Sequence, residues 1–279
     1  MKHVRIAGLA CLVIAGLAHG AEPADSSPGN WRVDFFDDFD TFDTANWQDQ
    51  ILWVNEEDQC YLRNGEHGTR EVSDGTLKLR VVDLGELRPC DNVDKFGKRH
   101  PDTRYVAGRI ASKNLKEFVG GRWTARLRVH EPGQEGMFPA WWLLGARNDE
   151  PPVQEPDENV CWPATGSGEI DIFEHHGHGE AAVYALRIIE DLGNCTGDWE
   201  SSQKIVSAKI DEYHEYSVEW LGDDLIFRLD GEEVHRLPGR ADDLPEPFFA
   251  ILNFAKLTDG PLDSDWVMEV DWVRHESRR

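Results

Sequence analysis

Along most of the chain, apolar and polar residues alternate one by one. This is the pattern of β-strands with one dry face and one wet face. Thr76-Leu77-Lys78-Leu79-Arg80-Val81-Val82 and Arg122-Trp123-Thr124-Ala125-Arg126-Leu127-Arg128-Val129 are clear cases, as is Val267-Met268-Glu269-Val270-Asp271-Trp272-Val273. Residues 31–36, 107–112, 216–220 and 225–230 read the same way. Ser73-Asp74-Gly75 and Asp230-Gly231 supply hairpin turns between such runs. No long stretch carries the helical period, and no segment repeats. Two polar, charge-rich runs, 83–103 and 148–158, read as loops, the first held by Cys90. The pattern predicts an all-β fold, a sandwich or jelly roll of two antiparallel sheets packed face to face.

One strand stands apart. Gly168-Glu169-Ile170-Asp171-Ile172-Phe173-Glu174 carries three carboxylates among apolar residues. Side chains alternate across a strand, so Glu169 and Asp171 share a face. Glu174 follows Glu169 by five positions, and two arrangements fit. In a regular strand it points the other way and is solvated. With a one-residue bulge at Ile172-Phe173, all three acids share a face, as happens beside active sites. In the bulged form the backbones of the two glutamates stand about 13 Å apart, so their long side chains lean inward over the shorter Asp171. Paired carboxyls of this kind suit glycoside hydrolysis, which needs no metal or organic cofactor.

Composition and charge narrow the setting. Residues 1–20 read as a secretory signal, with Lys2 and Arg5 before an apolar run and small residues near Gly20-Ala21. Residues 21–30 are expected to form a short flexible segment, and residues 31–279 one catalytic domain. The protein is therefore expected to be secreted or periplasmic and, once processed, without a membrane partner. The formal net charge of −24 repels nucleic acid and anionic surfaces. Eleven tryptophans are many for a polar chain and point to some standing exposed in a cleft. Of the five cysteines, Cys11 lies in the leader. The other four allow three pairings; Cys60–Cys90 and Cys161–Cys195 are favoured because each closes a local excursion.

Several stretches in order carry a resemblance. Glu169-Ile170-Asp171-Ile172-Phe173-Glu174 resembles the signature of glycoside hydrolase family 16 in the bulged form of its laminarinase-like, endo-1,3-β-glucanase branch. Gly136-Met137-Phe138-Pro139-Ala140-Trp141-Trp142-Leu143-Leu144-Gly145 resembles the segment before that strand. Asn55-Glu56-Glu57-Asp58-Gln59-Cys60-Tyr61, residues 213–220, Phe248-Phe249-Ala250-Ile251-Leu252-Asn253 and Val270-Asp271-Trp272-Val273-Arg274 fit further family segments. The resemblance implies a concanavalin-like jelly roll with a cleft on its concave sheet, and it favours the bulge. It implies Glu169 as nucleophile, Glu174 as acid and then base, and Asp171 between them. The implied function is retaining endo-hydrolysis of a β-glucan by a monomer. The alternatives are a neutral galactan such as agar, transglycosylation, or a non-catalytic glucan-binding protein.

Around the acids, Phe138 and Trp142 share a face four residues apart and are candidate sugar platforms, with Trp141 turned to the core. Trp162 is a candidate cleft residue, and Asn55 and Arg109 match family positions that bind sugar hydroxyls. Glu57 is read as support for a loop. His175, His176 and His178 are read as solvated loop residues. Two departures from the family bear on linkage specificity. Arg187 stands where a histidine is usual, and Asn253-Phe254-Ala255-Lys256-Leu257 lacks a usual Gly-Gly. The resemblance also implies a structural calcium held by Asp38, Gly75 and Asp271, oxygen ligands that suit a hard cation.

Overall fold

The computed structural model describes residues 31–162, 168–175, 183–191, 199–257, 260–262, 264 and 266–279, with backbone only for 183–191 and 199–201. The expected leader, residues 21–30, Cys195, His176 and His178 lie outside these residues.

Strands dominate, arranged in a ten-stranded and an eight-stranded sheet. The ten-stranded sheet runs Glu232–Leu237, Asp224–Leu229, His214–Leu221, Arg122–His130, Trp266–Arg278, Thr76–Arg88, Thr103–Ala107 and Cys60–Tyr61. Trp31–Asp37 pairs with Trp266–Arg278, and Arg70–Ser73 with Thr76–Arg88. The eight-stranded sheet runs Trp199–Ser207, Val183–Asp191, Glu169–Glu174, Met137–Gly145, Pro247–Lys256, Arg109–Ala111 and Gln48–Asp49, with Glu117–Val119 beside Pro247–Lys256. Neighbouring strands are antiparallel except Cys60–Tyr61 against Thr103–Ala107. Among the described residues the only helical elements are two 3-10 turns.

The one-by-one alternation explains how the sheets meet. Leu77, Leu79 and Val81 from one strand and Trp123, Ala125, Leu127 and Val129 from its near neighbour are fully buried. They join Trp141, Leu143, Ile170, Ile172, Phe173, Leu252 and Phe254 of the other sheet in one core. Burying so many aliphatic and aromatic side chains, at about 25 cal/mol per Å² of apolar surface, is the main stabilising term. Both predicted turns close two-residue hairpins. Asp74 and Gly75, and Asp230 and Gly231, all take positive φ, as a type I′ turn requires.

Two sequence expectations are corrected. Residues 107–112 are not one strand. The chain crosses between sheets at Gly108, leaving Thr103–Ala107 in one and Arg109–Ala111 in the other. A Cβ on Gly108 would lie 2.4 Å from the Thr69 carbonyl oxygen, so only glycine permits this crossing. The run 83–103 is not all loop either, because the strand from Thr76 continues to Arg88. Cys90 does tether the remainder through the Cys60–Cys90 disulfide. Cys161 is also disulfide-bonded.

Candidate active site

The three acids lie on the eight-stranded sheet, and the register there fixes their facing. Along the pairing of Met137–Gly145 with Glu169–Glu174, Leu144 faces Glu169, Trp142 faces Asp171 and Ala140 faces Glu174. The register slips between Trp141 and Trp142, so Ile172 is the extra residue of a bulge. Because 140, 142 and 144 share a face, Glu169, Asp171 and Glu174 do too. Ile170, Ile172 and Phe173 turn inward and are fully buried. The bulge tucks two consecutive apolar side chains into the core, which resets the alternation for Glu174.

The registers extend this face into three rows across the strands. Asp171 pairs with Trp142 on one side and Arg187 on the other, and Trp142 pairs with Ile251 and through it with Ala111. The Glu174 row continues through Ala140 and Asn253 to Arg109. The Glu169 row joins Ile189, Leu144 and Phe249. Arg187 is thus the direct cross-strand neighbour of Asp171 in the backbone. Asp171 and Glu174 are buried, and Glu169 is half-buried. Packed in this way, two long carboxyl side chains flank a short one on a single surface, the arrangement needed for paired acid–base or nucleophilic work.

The aromatic residues sort as their alternation predicts. Trp141 is fully buried in the core. Phe138 and Trp142 are half-buried on the face of the acids. Trp142 and Trp162 both pack on a small apolar cluster of Ala111, Leu144, Phe249 and Ile251, so Trp162 does reach this face.

Other expected residues take different positions. Arg109 is 1% exposed. Its Nε donates to Gln50 Oε1 at 2.6 Å and its Nη2 to Glu150 Oε2 at 2.9 Å. The guanidinium carbon lies 4.9 Å from the centroid of the Trp142 ring. Its guanidinium is thus engaged by Gln50 and Glu150 beside the Trp142 ring. Asn55 is exposed in a left-handed turn that closes with the Glu57 N–H on the Val54 carbonyl at 3.0 Å. His175 is buried directly after Glu174, not solvated as expected. Lys256 is likewise turned inward. Its Nζ pairs with Asp58 at 2.9 Å and lies over the Tyr105 ring, so this departure from the family pattern is spent in the core and not in the cleft. Asp271 lies on the ten-stranded sheet, and Asp38 and Gly75 lie just outside its strands Trp31–Asp37 and Thr76–Arg88.

Sequence reasoning missed a polar network beneath Trp142. Trp142 Nε1 donates to Asn253 Oδ1 at 2.8 Å, and Asn253 Nδ2 to Tyr61 Oη at 3.2 Å. Tyr61 Oη donates to Glu57 Oε2 at 3.1 Å, which also accepts from Gln59 Nε2 at 2.7 Å. Glu57 is fully enclosed. Burial pushes its pKa up to about 7, only partly offset by the Arg109 charge and the bonds from Gln59 and Tyr61. Every member except Trp142 and Arg109 comes from two stretches, 57–61 and 248–253, whose shared order with the family was the only signal of this network.

Known proteins resemble this chain over most of its length. The model of "Glycosyl hydrolases family 16" matches residues 55–257. A beta-glucanase of Rhodothermus marinus is 24% identical over 267 residues, covering 90% of this chain and 84% of that protein. A glucan endo-1,3-beta-glucosidase of Niallia circulans is 24% identical over 290 residues, covering 90% of this chain but 39% of that longer protein. A crystal structure of LamA from Z. galactanivorans, in complex with laminaritriose and laminaritetraose, superposes with a TM-score of 0.73. It is 27% identical, over 88% of this chain and 98% of that one.

Proposed function

The chain belongs to glycosyl hydrolases family 16, and from that premise we propose that it is an exported, retaining endo-β-glucanase cutting β-1,3 linkages in laminarin-type glucan. The observation that carries this reading is the bulge at Ile172, which sets Glu169, Asp171 and Glu174 on one face beside half-buried aromatic residues. The relatives' activities on β-glucans supply the substrate class.

In the first step a Glu169 oxygen attacks the anomeric carbon while Glu174 gives its proton to the leaving glycosidic oxygen. A covalent glycosyl–enzyme forms and one product departs. Glu174, now a carboxylate, takes a proton from water as that water attacks the same carbon and releases Glu169. Asp171, one short side chain, lies between them on the same face. Each residue needed is present in the chain, and no step calls for a metal.

The disulfides at Cys60–Cys90 and Cys161 support an oxidising, exported location. The calcium expectation fits in part. Asp38 follows the Asp37–Val273 pair and Gly75 precedes Leu77, the partner of Val270, so both converge on the stretch holding Asp271. Their oxygens suit a hard cation, but Asp271 already pairs with Arg126. A cation there would share it.

The test is incubation with laminarin, lichenan, agarose and carrageenan, with sizing of products. Oligosaccharides from laminarin are expected. Release from agarose alone would replace β-glucan with galactan as substrate. Tight binding without release would favour a binding protein, a reading that the full acid triad argues against.

A further inference from the structure

We propose that Glu57 is a positioning residue that sets the orientation of the Trp142 indole through Tyr61 and Asn253, and that sugar binding at Trp142 depends on it. The proposal rests on the glycan-hydrolase reading above and deepens it.

The argument is one of hydrogen-bond polarity. An indole nitrogen can only donate. Trp142 therefore obliges Asn253 to present its carbonyl oxygen, which it does at 2.8 Å. The amide nitrogen of Asn253 must then point the other way, and it donates to the Tyr61 hydroxyl at 3.2 Å. With that oxygen accepting, the Tyr61 proton is directed onward to Glu57. The chain of bonds has one sense and ends at a Glu57 carboxyl oxygen, which accepts. Gln59 donates to the same Glu57 oxygen, so the terminus is itself fixed by a second donor. All of these groups but Trp142 are almost wholly buried, and an acceptor removed from such a site leaves a polar group stranded.

The other end of the relay bears on the substrate. Trp142 is half-buried on the face of the acids and directly opposite Asp171. Directly opposed side chains on neighbouring strands lie about 5 Å apart at Cβ, so a turn of the indole moves the surface on which a sugar at the acids would stack. The Glu57 side chain bonds to Gln59 and Tyr61, and through Tyr61 and Asn253 it is linked to Trp142.

The test measures kcat and KM on the glycan that the wild-type protein cleaves, for Tyr61→Phe, Glu57→Leu, Glu57→Gln and Trp142→Phe. Tyr61→Phe and Glu57→Leu are expected to raise KM at least fivefold with kcat changed less than twofold. Glu57→Gln keeps an acceptor oxygen and should hold KM within about twofold of wild type. In the Trp142→Phe background, Tyr61→Phe should add nothing. A wild-type KM for Tyr61→Phe or Glu57→Leu overturns the proposal, as do KM factors that multiply in the double variant. Near-ultraviolet circular dichroism gives a readout without substrate. Tyr61→Phe should alter the tryptophan bands, and that change should vanish in the Trp142→Phe background. Its persistence there counts against the relay. Failure of the wild type on every glycan overturns the hydrolase reading alone, since the spectroscopic arm still tests the relay. If Glu57→Leu does not fold, Tyr61→Phe carries the test.

Discussion

The outward faces of the two sheets are both rich in charge, yet they arrange it in opposite ways. On the ten-stranded sheet, acids and bases face each other across neighbouring strands. Arg122 stands opposite Glu276 and Arg128 opposite Glu269, and both pairs are closed at 2.6 Å. On the eight-stranded sheet, three acids follow one another along a single strand, half-buried aromatic residues lie beside them, and the cation Arg109 is buried next to the Trp142 ring, paired with Glu150. Cross-strand pairing of opposite charges stabilises a sheet. Crowding of like charges on one strand costs stability, and the sequence spends that cost where chemistry is done.

The sharpest way to break this comparison is to exchange one acid on each face. Glu169→Gln and Glu174→Gln should each lower kcat/KM by about a thousandfold or more, the range for losing a nucleophile or a general acid, with a cooperative melt retained. Glu269→Gln should leave kcat/KM within about twofold. Steady-state kinetics and thermal melts on the same preparations check both. Near-normal turnover by either active-face variant would remove the division of labour between the faces.

The next effect is one of pH, and its sign differs between the enclosed Glu57 and Glu269 of the ten-stranded sheet. Glu57 has an ordinary value of 4.5, and burial holds it at about 7 in the folded protein. The folded state then binds the proton more tightly than the unfolded state. Stability from this group is full below about 4.5 and is lost as pH rises toward 7, on the order of 3 kcal/mol in all. Glu269 shows the reverse. Burial acts to raise its pKa, but hydrogen bonds from Arg128, His130 and Thr76 outweigh it and hold the group at about 2. Its contribution is full above 4.5 and is lost as pH falls toward 2. Urea denaturation from pH 2 to 8 separates the two. Glu57→Gln should flatten the loss between pH 5 and 7, and Glu269→Gln the loss at acid pH. Either variant flattening the other's window would contradict the assignment.

At neutral pH, Glu269→Gln should also cost about 1–2 kcal/mol, since Arg128 and His130 lose a charged acceptor. The denaturation midpoint at pH 7 reads this directly, and no change would mean that solvent replaces the acceptor.

How far the sequence foretold these faces depends on how local each feature is. The acidic strand was legible because its three carboxylates fall within six residues and a period of two orders them. Even there, geometry alone left Glu174 on either face, and only the order of the surrounding segments favoured the bulge. The burial of Arg109 was not legible because burial is a property of the packed fold, and its partners Gln50 and Glu150 lie 59 and 41 residues away. The Glu57 relay was hidden for the same reason. Its link from Tyr61 to Asn253 spans 192 residues. Gly108 was read as part of a strand because alternation does not reveal where a chain changes sheets.

The smallest expected effect concerns the interior strand Trp266–Arg278 of the ten-stranded sheet, which carries Asp271 and whose partner strands have ends next to Asp38 and Gly75. A calcium ion there would add stability by mass action, about 2.7 kcal/mol at a hundredfold excess over its dissociation constant. For a chain of this size that is roughly 5–10 °C in melting temperature. Arg126 competes for Asp271, so the shift on adding chelator should be smaller, a few degrees, and be restored by calcium. Arg126→Ala should widen it, because the carboxylate is then left to the cation alone. The active face should not notice, since these residues lie on or just outside strands of the other sheet: kcat/KM below the melting range is expected to be equal with and without chelator. A melting temperature indifferent to chelator in both proteins would assign Asp271 wholly to its arginine, and the ten-stranded face would then be held by side-chain ion pairs throughout.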